Sequence, residues 1–136
     1  FKTYFKDTKR VHTLKIRTNE QKDINQKLQH FLTEHPAING IFVTNSKAFR
    51  VARFVKTVGL KLHIIGYDLI EENLNHLEDE TISYLISQKP FDQGYLSIRA
   101  LFNRMMLNKP LQESYKLPIE IIIKENIDHL NITRSL

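Results

Sequence analysis

Residues 40–68 read GIFVTNSKAFRVARFVKTVGLKLHIIGYD, and this stretch decides the fold class. It holds two short apolar runs, Gly40 to Thr44 and Leu62 to Tyr67, whose continuity is typical of strands buried on both faces. Between the runs, apolar residues recur on one helix face: Ala48, Val51, Ala52 and Val55. Gly59 follows where a left-handed helix cap is expected. The stretch therefore predicts strand, helix and parallel strand joined by short connections.

The same alternation extends towards the start of the chain. Val11 to Ile16 has the pattern of a first strand, and Thr18 with Gln21 matches a capping box. The helix that follows is predicted to end at His35, before Pro36. Its apolar positions are Ile24, Leu28, Phe31 and Leu32. Phe1, Tyr4 and Phe5 have the spacing of the end of a further helix.

Towards the other end, Ile70, Leu74 and Leu77 mark a short helix, and Thr81 to Ser87 a further strand. Pro90 opens a long helix, which Pro110 ends. The apolar stripe of that helix consists of Tyr95, Ile98, Leu101, Phe102 and Met105. Leu117 to Ile123 predicts the last strand, and we expect the tail from Glu125 to be weakly ordered.

These elements predict an α/β protein with an open, mostly parallel sheet of five strands flanked by helices. We find neither an internal repeat beyond the alternation of strand and helix nor a linker, so the chain is predicted to be one unit.

Composition excludes several classes of protein. The 136 residues are 41% hydrophobic and 26% charged, which is typical of one soluble domain. The absence of cysteine excludes disulfide scaffolds, cysteine nucleophiles and cysteine zinc sites. No apolar run approaches the roughly 20 residues of a membrane span, so we expect this stretch neither to cross a membrane nor to carry its own export signal. Because it begins at Phe1 in a stretch with helical spacing, we expect that a preceding part has been removed.

A net charge of +5 is compatible with nucleic-acid binding, but the positions of the charges favour a solvated surface. The densest basic group alternates with apolar and acidic residues and lacks clustered aromatics. It consists of Lys2, Lys6, Lys9, Arg10, Lys15 and Arg17.

One polar side chain follows each of three successive predicted strands: Asn45, Asp68 and Gln88. Ligands of open α/β sheets bind beyond the carboxyl ends of the strands, so we expect these three residues to form a row there. One carboxylate and two amides accept from and donate to hydroxyl groups, which suits a sugar. For Asn45 and Asp68, position alone favours capping of the next helix over ligand binding. Tyr67 and Ser87 are possible additions to the site.

The sequence offers little for catalysis or metal binding. His30 and His35 are five residues apart and do not share a helix face as a zinc pair does. The acids Glu71 and Glu72, near Asp68, are explained by a helix N-terminus. Neither a phosphate-binding loop nor a nucleophile elbow is present. We therefore expect a protein that is not an enzyme and that needs no metal or cofactor.

Four segments carry a family resemblance: INGIFVTNSKAFRVARFVKTVG, LHIIGYDLIEENLNHLED, TISYLISQKPFDQGYLSIRALFNRMM and LPIEIIIKENID. Their order and spacing resemble the C-terminal half of the effector-binding domain of LacI-type transcriptional regulators, which is periplasmic-binding-protein-like. The QKPFDQGY segment is especially similar to these regulators. In that family the motifs VTN, IGYD and ISQ contact the ligand, so the resemblance implies a ligand site at Asn45, Asp68 and Gln88.

The resemblance also implies boundaries and partners. Residues 1–89 are expected to form the C-terminal lobe, residues 90–128 a segment that crosses back towards a first lobe, and residues 129–136 a tail. A sugar or related metabolite is expected to bind between the lobes of a cytoplasmic homodimer, which contacts DNA through a headpiece outside this chain. A periplasmic sugar-binding protein that feeds a transporter or sensor is the alternative. This chain departs from the family pattern at Ser46, Lys47 and Phe49, where an acidic residue and smaller side chains are common.

Overall fold

The computed structural model describes residues 11–111 and 114–129. The chain divides into two compact units, residues 1–38 and residues 39–136. The helical spacing at Phe1, Tyr4 and Phe5 lies outside the described residues, as do residues 130–136 of the tail.

The first unit contains helix α1, Gln21–Glu34, which ends before Pro36 as predicted. Ile24 and Leu28, on its predicted apolar face, are buried. Residues 11–20 form no strand, so the prediction of a strand at Val11 to Ile16 was wrong. Their apolar residues are half-buried, but burial alone does not make a strand, because a strand also needs a hydrogen-bonded neighbour. Four strands are therefore found in the described residues, where the sequence predicted five.

The capping box predicted at Thr18 and Gln21 was also wrong. The residue before α1 is Glu20, which makes no side-chain capping bond, and Gln21 is already the first helical residue. Thr18 instead accepts a hydrogen bond from the Glu20 amide at 3.0 Å and donates to Asp23 at 3.3 Å. The spacing of the motif was correct, but the helix starts too late for Thr18 to cap it.

The second unit is built on a sheet with the strand order β1-β2-β3-β4. Strands β1 to β3 are parallel, and β4 runs antiparallel to β3. The strands are β1 (Gly40–Phe42), β2 (His63–Tyr67), β3 (Tyr84–Ser87) and β4 (Glu120–Ile122). The helices are α2 (Ala48–Val58), α3 (Glu71–Glu78) and α4 (Pro90–Leu107). The α/β class and the mostly parallel open sheet flanked by helices are thus confirmed.

The core of this unit lies on one face of the sheet. Ile64, Gly66 and Leu85 are buried, and Ala48 of α2 lies directly against Gly66. On the opposite face, Ile65 and Ile86 are only partly buried. Strand β2 is therefore buried on one face and no residue of β1 is fully buried, so the prediction of burial on both faces was wrong. Apolar content along a strand shows which side chains resist water, but it does not show whether a second layer covers them.

Two predicted helix boundaries are confirmed. Gly59 ends α2 in the left-handed conformation, with φ 69°, and the Leu60 amide bonds to the Val55 carbonyl. Pro90 is the first residue of α4, where its missing N–H costs nothing.

A polar link joins the ends of α2 and α3. The Lys56 ammonium lies 2.6 Å from the carboxylate of Asp79, which also accepts a hydrogen bond from the Thr81 amide at 3.0 Å. Burial opposes ionisation of this carboxyl, but the hydrogen bonds from Lys56 and Thr81 outweigh it and lower the pKa of Asp79 to about 2. The turn from α3 into β3 is therefore held by an ionised Asp79 at neutral pH.

Helix α4 exposes its apolar residues. The helix has no buried residue, and eight large apolar side chains along it are between 49% and 84% exposed. These include the five residues of the predicted stripe. Among the described residues, no helix combines the length and the apolar character that crossing a bilayer requires.

The tail is better ordered at its start than predicted. Lys124–His129 form a 3₁₀ helix, and Ile127 is buried. Asn126 accepts a hydrogen bond from the Ile123 amide at 2.9 Å and donates to the Ile121 carbonyl at 3.2 Å. The expectation of a weakly ordered tail from Glu125 was wrong for residues 125–129, which form this helix and are joined to β4 by the bond from Asn126 to the Ile121 carbonyl.

The contact between α2 and β2 predicts that Gly66→Ala destabilises the protein. A Cβ atom at Gly66 collides with Ala48 and comes within 3.3 Å of Leu85. We expect a loss of about 1–3 kcal/mol, measured by urea unfolding, because the packed helix must move away from the sheet.

The matched control is Gly94→Ala in α4, where an added Cβ meets nothing within 4 Å. This change should leave stability unchanged or raise it by up to about 1 kcal/mol, because alanine favours a helix. Equal unfolding midpoints for the two variants would contradict the packing described for Gly66.

Candidate functional site

The three predicted site residues all follow parallel strands at their carboxyl ends. Asp68 and Gln88 come directly after β2 and β3, and Asn45 lies three residues beyond the end of β1. Because β1, β2 and β3 are parallel and adjacent in the sheet, these residues lie along one edge.

Asp68 has a left-handed backbone, with φ 67°. Its amide donates to the Ile86 carbonyl of β3 at 3.0 Å, which holds the turn against the sheet. Helix α3 begins after Ile70 and has no side-chain cap, so Asp68 is not its capping residue. A left-handed conformation costs free energy for most residues, although aspartate tolerates it better. Such conformations are enriched at binding sites, because the surrounding structure must hold them.

Gln88 lies beside Asp68. The distance from its Nε2 to Asp68 Oδ1 is 3.5 Å, the long limit of a hydrogen bond. The Gln88 carbonyl accepts a bond from the side chain of Gln93 at 2.5 Å. The next residue, Lys89, is also left-handed, and its ammonium lies 2.6 Å from Glu120 of β4. The Gln88 side chain is exposed, while its carbonyl is bonded to Gln93 and the next residue, Lys89, is paired with Glu120.

Asn45 shapes its own loop. Its Oδ1 accepts a hydrogen bond from the Lys47 amide at 2.9 Å, while the residue before α2 is Lys47. This is an Asx turn ahead of the helix, so helix capping in the strict sense was the wrong alternative. In the part of the chain that the structure describes, no hydrogen bond joins Asn45 directly to Asp68 or Gln88.

Asn73 is the residue that the sequence analysis missed. It lies in α3, is 0% exposed, and donates from Nδ2 to the carbonyls of Ser46, Tyr67 and Asp68 at 2.9 to 3.0 Å. The sequence does contain a signal for it: the apolar spacing of α3 continues through position 73, where an asparagine stands. A polar residue at a core position is expected to have a specific set of partners.

A cavity of about 560 Å³ adjoins Gln88. Its lining includes hydroxyl and amide side chains as well as apolar ones, among them Tyr67, Gln93, Ser97 and Tyr115. Tyr67 also contacts Phe42 at the end of β1, with ring centroids 5.5 Å apart. Ser87, the other suggested addition, is buried and also lines the cavity. Amides, hydroxyls and aromatic faces are groups that recognise polyhydroxylated molecules.

Metal binding has no support in residues 11–111 and 114–129, where no three histidine, aspartate or glutamate side chains cluster to hold an ion. The side chains at this edge, one carboxylate and two amides, can form hydrogen bonds with a ligand.

Most of the chain matches the model of a known protein family. Residues 1–109 match the periplasmic binding protein domain. The chain belongs to the periplasmic binding protein family. Among curated proteins, no sequence matches it.

Solved structures of the family superimpose well on this chain. A Bacteroides fragilis protein assigned as a LacI transcriptional regulator is 32% identical over 79% of this chain, with a TM-score of 0.73. A solute-binding protein of an Actinobacillus succinogenes ABC transporter, solved with D-allose, is 24% identical over 81% of the chain, with a TM-score of 0.71. Another from Agrobacterium vitis, solved with α-D-tagatopyranose, is 18% identical over 85%, with a TM-score of 0.74. The last two likenesses show the fold alone.

The chain spans less than half the length of these relatives. It covers 38% of the Bacteroides protein, 39% of the Actinobacillus protein and 40% of the Agrobacterium protein.

The left-handed conformation of Asp68 can be tested by substitution. Asp68→Gly should be more stable than Asp68→Ala by about 1 kcal/mol in urea unfolding, because both lose the carboxylate but only glycine adopts a positive φ freely. Asp68→Asn should lie between them, since asparagine also tolerates this conformation. An alanine variant as stable as the glycine variant would show that the left-handed turn is not retained in solution.

Proposed function

We propose that the carboxyl edge of the sheet binds a sugar or related metabolite, and that the chain is part of the ligand-sensing domain of a LacI-type transcriptional regulator. The observation that carries the binding proposal is the pair formed by Asp68 and Gln88 at this edge. The carboxylate accepts hydrogen bonds from two neighbouring hydroxyl groups, while the Gln88 amide both donates and accepts. Asn45 adds a second amide along the same edge.

The site is suited to binding and offers no reaction. The three side chains include neither a nucleophile paired with a base nor an oxyanion-binding group. Asp68 is held in place before a ligand arrives, because its backbone is bonded to β3 and to Asn73. A ligand therefore pays little ordering cost at this residue, which favours affinity.

The regulator assignment has support from the identity of 32% to the Bacteroides fragilis protein. In this proposal a second lobe closes over the ligand, and closure shifts the population of homodimers that are competent to bind DNA. DNA contact belongs to a headpiece outside this chain. The proposed location is the cytoplasm. The exposed apolar face of α4 favours association with another surface.

The second candidate function is delivery of a sugar to a transporter. Its support is structural: the solute-binding proteins crystallised with D-allose and α-D-tagatopyranose have TM-scores close to that of the regulator. The ligand site would be the same in both cases. The two functions differ only in whether closure of the lobes affects binding to DNA or to a transporter.

The site assignment predicts that Asp68→Asn weakens sugar binding. Calorimetry on the complete protein with D-allose, D-tagatose and D-arabinose should show Kd raised by at least about tenfold for whichever sugar binds, because a charged acceptor of hydroxyl groups is lost. Asparagine is used instead of alanine so that the left-handed turn survives. Glu72→Gln, an exposed acid of α3, is the matched control and should leave Kd unchanged. Equal affinities for Asp68→Asn and the unaltered protein would refute the site.

The regulator hypothesis is tested first by the coding sequence on the 5′ side of the Phe1 codon. An operator-binding assay on the complete protein follows. We expect a first lobe preceded by a helix-turn-helix. The complete protein should then bind its operator differently with and without the sugar identified by calorimetry. An apolar signal segment at the start of the reading frame would refute the regulator and support the transport protein.

A further inference from the structure

The amide of Asn73 is placed where two loops of the candidate site meet. One loop follows β1 and carries Asn45, and the other follows β2 and carries Asp68. From Asn73, Oδ1 accepts the Phe49 amide at 2.8 Å, and Nδ2 donates to Ser46 O at 2.9 Å. Both of these partners belong to the first loop or to the start of α2. On the side of the second loop, Nδ2 donates to Tyr67 O at 2.9 Å and to Asp68 O at 3.0 Å.

The orientation of this amide is fixed by its surroundings. Oδ1 faces an N–H donor, and Nδ2 faces three carbonyl oxygens. Rotation of the amide by 180° would place NH₂ against N–H and oxygen against three oxygens, which is strongly unfavourable. Nδ2 has two hydrogens for three acceptors, so at least one hydrogen is shared. The side chain is 0% exposed, so water cannot replace any of these bonds.

We propose that Asn73 is a positioning residue that couples the two loops, so that Asn45 and Asp68 are held at a fixed separation for one ligand. The proposal rests on the proposed function, and Asn73 itself does not touch the ligand in it. Tyr67 O belongs to the peptide that leads into the left-handed Asp68, and Asp68 O belongs to the peptide that follows it, so the two bonds flank the Cα of Asp68. They hold the conformation from which the Asp68 carboxylate projects towards Gln88. The bonds to Ser46 O and Phe49 N hold the loop whose Asx turn Asn45 makes.

A merely structural role would give a different result from a positioning role. Loss of buried hydrogen bonds destabilises any protein, so stability alone does not test the proposal. The distinguishing feature is the local effect at amides that do not bond to Asn73 themselves. The Lys47 amide bonds to Asn45 Oδ1, and the Asp68 amide bonds to Ile86 O, so these two amides report on the placement of the two site residues.

The first measurement is solvent exchange of these two amides by NMR in Asn73→Ala. We expect both rates to rise by about tenfold or more, because each loop loses its anchor while the sheet stays folded. The control is Leu77→Ala, one turn along α3, which removes a side chain that is also fully buried but bonds to neither loop. Global stability of both variants is measured by urea unfolding. Unchanged exchange in Asn73→Ala, or an equal rise in Leu77→Ala, would overturn the proposal.

The second measurement is binding of D-allose, D-tagatose and D-arabinose to the complete protein. For a sugar that binds, Asn73→Ala should raise Kd by about tenfold or more, while Leu77→Ala should change it less than about twofold when both proteins are folded. If the unaltered protein binds none of the three sugars, the proposed function is not supported by these probes, and the exchange measurement still decides whether Asn73 couples the loops.

If Asn73→Ala does not fold, the exchange measurement is made on Asn73→Asp instead. Aspartate keeps an acceptor for the Phe49 amide but replaces the donor by an oxygen that faces three carbonyls. We expect both amides to exchange faster and the Asp68 amide to change more, because the second loop loses two bonds from Nδ2, whereas the first loop loses one and keeps the acceptor of the Phe49 amide. Equal protection of the Asp68 amide in Asn73→Asp and in the unaltered protein would refute the coupling.

Discussion

The buried amide of Asn73 is the interaction on which the candidate site depends. It satisfies one amide and three carbonyls at the point where β1 and β2 end, where the backbone leaves the sheet and loses its ladder partners. Backbone groups buried without a partner are costly, so the loops are stable in this arrangement only with such a side chain between them. The same bonds fix the left-handed turn at Asp68. The bonds of the buried Asn73 side chain thus stabilise the core and fix the geometry of the site at the same time.

The close approach of α2 to the sheet makes this bonding possible. Gly66 lets Ala48 lie against β2, which brings the first turn of α2 over the end of that strand. The Phe49 amide, in that first turn, is then within 2.8 Å of Asn73. A larger side chain at position 66 would push α2 outward and lengthen this bond. Gly66 and Ala48 therefore affect the geometry of the candidate site as well as the packing of the core.

Much of this was predictable from local pattern. The spacing of apolar residues located four helices, and Gly59 and Pro90 marked two of their ends, because these signals depend on neighbours in sequence. The strand at Val11 to Ile16 and burial on both faces were wrong because both depend on distant partners. The positions of Asp68 and Gln88 at one edge followed from strand order, whereas the contact between them depends on a left-handed turn. The apolar spacing of α3 marks position 73 as a core position, but no sequence pattern identifies the backbone atoms that are the partners of Asn73, so its role was missed.

Under the proposed function, the arrangement of the edge allows ligand binding and signalling to be separated. The Asp68 backbone is held by Ile86 of β3 and by Asn73 of α3, and the Gln88 carbonyl by Gln93 of α4, so residues of this chain hold both backbones. In the proposed function these residues recognise the ligand from one side, and the free energy of closing a second lobe over it drives a change elsewhere. In that arrangement, variation in the opposite wall alters the response while the carboxylate and its amide neighbour keep the same ligand chemistry. This separation suits a fold whose members include both a protein assigned as a transcriptional regulator and solute-binding proteins.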